Sequence, residues 1–101
     1  MGLDVVLFDH NNSKIGLFEI PERLHHALFQ DTFYWRSYPS LRKISDYYRT
    51  NVRLDRVGMQ HLITDLGQVK PFINHHDQLD LDTLITALCD DTVSSIHIAG
   101  D

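Results

Sequence analysis

Seven histidines in 101 residues raise metal and proton-transfer chemistry first, and their spacing is the test of it. Glu22, His25 and His26 come nearest to a helical ligand set, because Glu22 and His26 are four apart and share a helix face. A zinc-hydrolase helix needs histidines at i and i+4 with a glutamate beside the first, so that two imidazoles converge on the ion and the carboxylate reaches its bound water. Here the histidines are adjacent and point about 100° apart on a helix, so at most one can join Glu22. His75, His76 and Asp77 form the second candidate metal set, in a polar stretch that reads as a loop. A metal-binding or hydrolytic role there would need His10, His61 or His97 within ligand reach. His61 falls among Met59, Leu62 and Ile63, and His97 alternates with Ile96 and Ile98, which is the pattern of structural residues.

A nucleophilic thiol needs a partner base and a lowered pKa. Cys89, beside Leu88 at the end of an apolar stripe, instead reads as half-buried and inert. The glycines stand at 2, 16, 58, 67 and 100, too scattered for a phosphate-cradling loop or a nucleophile elbow, and no paired acidic motif is present. The expectation is a non-enzymatic protein with no cofactor and no metal. The His75, His76 and Asp77 set is carried as the alternative.

The segment from Phe33 to Arg56 interleaves Arg36, Arg42, Lys43, Arg49, Arg53 and Arg56 with Tyr34, Trp35, Tyr38, Tyr47 and Tyr48. Tyr and Trp offer contact area at low entropy cost and Arg adds forked hydrogen bonds, so Tyr34, Trp35, Arg36, Tyr38, Arg42 and Lys43 are the candidate protein-binding surface. The same chemistry suits nucleic acid, with aromatic rings stacking on bases and Arg neutralising phosphates. A third reading has the aromatics in the core and the cations paired with acidic helices.

Charge runs in blocks. Residues 1–35 hold two cations against five acids, residues 36–56 hold six against two, and residues 57–101 hold one against seven. Asp77, Asp80, Asp82, Asp90 and Asp91 are therefore a candidate acidic surface. The net charge of −5 argues against generic binding to nucleic acid or anionic membranes.

The chain is long enough for one core without metal or disulfide staples, so a single α+β domain over 1–101 is expected. Hydrophobic residues make up 43% and charged residues 23%, which excludes disordered and fibrous classes. Asp9, Asp31 and Asp65 interrupt the apolar stretches, leaving none of the roughly 18–20 residues that span a bilayer. An acid at position 4 stands where a secretory signal carries Lys or Arg, and Cys89 is alone, so a cytoplasmic protein is expected.

Leu3–Phe8 reads as a central strand covered on both faces. His10-Asn11-Asn12-Ser13 is a turn leading to a strand over Ile15–Ile20, with Gly16, Phe18 and Ile20 on one face. A helix is predicted from Pro21 to Gln30, with Leu24 and Leu28 inward. Residues 31–38 have no clear period and read as strand, loop or lid. A helix starting near Ser37 would carry Leu41, Ile44 and Tyr48 inward, supported by an Arg42–Asp46 pair. Asp55 caps a third helix bearing Met59, Leu62, Ile63 and Leu66, closed by a left-handed Gly67. Residues 68–78 form a connection with room for a helical turn. Asp80 caps a fourth helix with Leu81, Leu84, Ile85 and Leu88 inward and a Leu79–Leu84 staple. Val93–Ile98 is the last strand, short enough for an edge but β-branched enough to pair with the first. Together these predict a small antiparallel or mixed three-stranded sheet with about four helices mainly on one face.

The opening Met1-Gly2-Leu3-Asp4 before an apolar strand, with Tyr34-Trp35-Arg36 ahead of a Leu/Ile/Tyr helix, resembles small uncharacterised phage and bacterial proteins that carry a Tyr-Trp-Arg-Lys segment. Ser37-Tyr38-Pro39 departs from the Lys and small residues of that pattern. The resemblance implies a bacterial or phage setting and no mechanism. In size and charge alone the chain is similar to immunity proteins, antitoxins and phage inhibitors. The partner expected is an unidentified protein or a second copy, with nucleic acid unfavoured and no membrane.

Overall fold

In the computed structural model, which describes residues 2–100, the opening apolar run becomes β1 (Gly2–Phe8), between β2 (Lys14–Pro21) and β4 (Ser95–Ala99). Met1 of the opening motif and Asp101 of the acidic block lie outside the described residues. Asp9 turns the first hairpin. Its Oδ1 accepts the main-chain N–H groups of Asn11 and Ser13, both at 2.9 Å, while Asn12 takes a left-handed φ of 62°. Asn tolerates that region because its short polar side chain bonds locally.

The sheet has four strands rather than three, in the order β2-β1-β4-β3 and antiparallel throughout, with β3 at Asn51–Leu54. The register aligns Phe18, Val5, Ile98 and Val52 across all four strands. Side chains alternate faces along a strand, so this row and its neighbours, Leu3 with Ile20 and Ile96 with Leu54, share the core side. Asp4, Val6, His97 and Arg53 lie on the other side, where no strand residue of described burial is buried. β1 is thus central but covered on one face only, because the helices lie on a single side of the sheet.

Helix α1 (Glu22–Phe29) begins after Pro21, whose extended backbone closes β2 and caps the helix. A 3₁₀ turn (Tyr34–Ser37) and the one-turn α2 (Pro39–Arg42) follow. Asp55 caps α3 (Arg56–Val69) as expected, accepting from the Gly58 N–H at 2.8 Å. The helix then runs past Gly67, which has no positive φ. Its end is set instead by a 3₁₀ turn at Lys70–Phe72 containing Pro71.

Helix α4 (His75–Leu88) starts well before Asp80, because the Asn74 side chain accepts from the Asp77 N–H at 3.1 Å and supplies the cap. Leu79 is consequently mid-helix and exposed, and makes no staple. One buried cluster joins Leu3, Val5, Ile96 and Ile98 of the sheet to Leu24 and Leu28 of α1, Met59, Leu62 and Leu66 of α3, and Leu81, Leu84 and Leu88 of α4. Among the described residues no helix is long and apolar enough to cross a membrane.

The helix predicted through Tyr48 stops after one turn because Asp46 competes for the backbone. Its Oδ1 accepts the N–H groups of Tyr48 and Arg49, each at 2.9 Å, and its carbonyl accepts from Thr50, through both the main-chain N–H and the hydroxyl. Asp side chains that bond the following amides offer an alternative to the helical ladder. The Arg42–Asp46 pair does not form, since Arg42 Nη1 donates to the Arg36 carbonyl at 2.8 Å. The turn delivers the chain to β3, and Gly100 packs on it so closely that a Cβ would collide with the Tyr47 carbonyl.

Candidate interaction surface

The aromatic-basic segment divides into a buried and an exposed part. Trp35 is half-buried, with its Nε1–H donated to the Phe29 carbonyl at 3.1 Å and its ring edge-on to Phe29. Tyr38 and Tyr47 also pack against the core cluster. Phe33, Tyr34 and Tyr48 do not: they are 70%, 50% and 66% exposed. Tyr34 stacks on Phe72, with ring centroids 3.9 Å apart and planes 18° from parallel, and Phe72 is itself 47% exposed. The Arg36 guanidinium lies 5.0 Å from the Phe33 centroid and 5.5 Å from that of Trp35, and Arg42 reaches its carbonyl.

Phe33, Tyr34, Arg36, Arg42 and Phe72 are therefore one continuous surface framed on Trp35. Lys43 instead lines a cavity of about 430 Å³ with Arg53, Leu54, Asp55, Gly58 and Ser95, and Tyr38 contributes packing. Phe72 escaped the sequence reading because 36 positions separate it from Arg36; its signal was a lone aromatic after Pro71 in a polar stretch.

The cations of this segment are mostly without acidic partners. Arg56 bonds the Val93 carbonyl at 2.7 Å and lies 3.7 Å from Asp91. Arg53 sits 4.5 Å over the Phe8 ring and donates to Asn12. Arg36, Arg42, Lys43 and Arg49 form no ion pair among the described residues. Among the described acids of residues 57–100, only Asp91 forms an ion pair with one of these cations. Asp82 pairs with Lys70 at 2.7 Å. Asp80 is exposed mid-helix, and Asp90 and Asp91 lie in the turn after α4. The Asp90 carboxyl is held below its ordinary value by the Thr92 main-chain N–H and then by the Thr92 hydroxyl.

Asp77 is a correction to the acidic surface: it is buried at 2% exposure and faces Arg23 of α1, whose Nε is 3.3 Å from its Oδ1. The earlier start of α4 turns it inward, as the third residue of the helix.

The histidine sets do not converge. His75 and His76 are exposed in the first turn of α4 rather than in a loop, with ring centroids 6.5 Å apart, and Asp77 points away into the core. His25 is buried and donates Nε2–H to the Ile44 carbonyl at 3.0 Å, whereas His26 is exposed beside Asp31 at 3.2 Å. Burial pushes the His25 pKa below its ordinary value, partly offset by the Ile44 carbonyl and by Asp46. Among the described residues no group of three His, Cys, Asp or Glu is placed to hold a metal ion. Cys89 is exposed rather than half-buried, because it caps the end of α4. In comparison with known proteins, no family model, no curated protein and no solved structure matches the chain.

Proposed function

We propose that the chain is a non-enzymatic protein-interaction module whose contact face is Phe33, Tyr34, Arg36, Arg42 and Phe72. The observation that carries this reading is the combination of a stacked, half-exposed aromatic pair with guanidinium groups that form no ion pair with an acid among the described residues. Large aromatics outside the core leave apolar area wet, and their burial with arginine at a partner's surface is the usual composition of a binding hot spot. The partner that fits is a protein presenting carboxylates around an apolar side chain, in the manner of an immunity protein, antitoxin or phage inhibitor target. A bacterial or phage cytoplasm is the setting in which we place it.

Nucleic acid shares the stacking and charge requirements, but the net charge of −5 opposes long-range attraction to phosphate. The test is capture from lysate of the source cell with wild-type chain and with Arg36→Glu and Tyr34→Ala/Phe72→Ala variants, each checked for native circular dichroism. A protein retained by the wild type and released by both variants is expected. Equal retention by all three baits removes this face from the function, and recovery of nuclease-sensitive material alone transfers the reading to nucleic acid.

A further inference from the structure

A groove runs between α1 and the turn at 43–50, with His25 at its floor. One part, about 180 Å³, is lined by Glu22, His25, His26, Gln30, Tyr47 and Tyr48. The other part, about 390 Å³, shares His25, Gln30, Tyr47 and Tyr48 and adds Trp35 and Asp46 among others. Four shared residues make these one continuous site. The walls are aromatic: Tyr47 and Tyr48 meet edge to face at 5.2 Å, and Tyr47 stands 5.0 Å from the His25 ring. Among the described residues no Lys or Arg lines the groove, its carboxylates are those of Glu22 and Asp46, the His26 ring lies 3.2 Å from Asp31, and burial pushes the His25 pKa below its ordinary value. Asp46 is held ionised by the N–H groups of Arg49 and then Tyr48.

From these walls and charges we infer that the groove binds a small organic cation of the alkylated-ammonium class. Aromatic faces attract a cation through their quadrupole, and carboxylates at the rim add charge without the strict geometry that a metal demands. At about 180 and 390 Å³ the two parts together fall within the roughly 300–1,000 Å³ of small-ligand pockets, ample for a compact headgroup and its substituent. The buried imidazole, fixed by the Ile44 carbonyl, keeps the floor rigid and uncharged. Free choline-like molecules and methylated lysine side chains present the same headgroup.

Trp35, the chain's one tryptophan, lines the larger part of the groove, so its fluorescence reports occupancy. The probes are choline, a trimethyl-lysine peptide and the uncharged choline isostere 3,3-dimethyl-1-butanol. Saturable binding of a cationic probe and none of the isostere is expected. Tyr48→Ala and Glu22→Gln, both at exposed positions, should weaken it about fivefold or more. Arg49→Gln, which removes a nearby positive charge acting on Asp46, should tighten it. Stronger binding of the peptide than of choline assigns the site to a modified protein, and the reverse order to a free metabolite. No saturable signal from either cation, equal binding of the isostere, or unchanged affinity in both weakening variants overturns the inference.

Discussion

Helices α3 and α4 and the segment from residue 31 to residue 50 are assembled by opposite means. The helices carry apolar stripes at helical spacing, with Met59, Leu62 and Leu66 meeting Leu81, Leu84 and Leu88 in the core, and side-chain caps at Asp55 and Asn74. The segment has two short helical turns, held by side chains bonded to main chain: Trp35 to Phe29, Arg42 to Arg36, Ser45 to Arg42 and Asp46 to Tyr48 and Arg49. Hydrophobic burial therefore stabilises the first region, and directional bonding shapes the second. The second region consequently has aromatics and guanidinium groups left over for contact with other molecules, whereas α3 and α4 turn most of their apolar side chains inward, Val57 and Leu79 excepted.

If that contrast is right, Leu81→Ala should produce the largest loss. Leu81 is fully buried, and removing such a side chain costs about 2–5 kcal/mol through lost transfer energy and the cavity left behind, as urea unfolding would measure. A loss below about 1 kcal/mol would mean that the helix pair is not the stabilising half. Trp35→Phe should cost less, about 1 kcal/mol, because the ring still packs while the Phe29 carbonyl loses its donor. Hydrogen exchange on Asp46→Ala sharpens the same point. The Tyr48 and Arg49 amides should exchange faster, while those within α3 keep their protection.

The smallest effect is expected from pH. His25 has a folded pKa below its ordinary value of 6.5, so the unfolded chain binds a proton there that the folded chain refuses. Stability is then fully present above about 6.5 and falls as pH drops from that value through the folded pKa. Urea midpoints measured across this window should decline in the wild type and lose that component in His25→Gln, which keeps an N–H donor for Ile44 but cannot titrate. Asp46 and Asp90, also lowered, act from their ordinary 3.8 downward, which separates the two ranges.

Much of the fold was legible where periodicity and caps agree. The central first strand, the His10–Ser13 turn, the inward face of β2 and the Asp55-capped α3 follow from local pattern, since apolar alternation, Asn tolerance of positive φ and an N-cap acid act within a few residues. The missing fourth strand shows where local pattern ends. Asn51–Leu54 is four residues long, half polar and preceded by a helix-like spacing of Leu41, Ile44 and Tyr48. It becomes a strand because Asp46 draws the following amides out of the helix and β4 offers a free edge.

The candidate surface divides along the same line. Tyr34, Arg36 and Arg42 could be picked from the interleaving of aromatics and cations, but Phe72 joins them only because the 3₁₀ turn after α3 sets its ring on Tyr34. Asp77 and Lys43 left the predicted surfaces for equally non-local reasons, one turned into the core by the Asn74 cap and the other directed toward β3. The sequence by itself determined the class of the fold, the block distribution of charge and the faces of its regular helices, because these depend on residue type and short periods. Which aromatics are wet, which carboxylate is buried and which cations lack a partner were decided by tertiary structure alone, because each depends on distances between residues that the chain order keeps far apart.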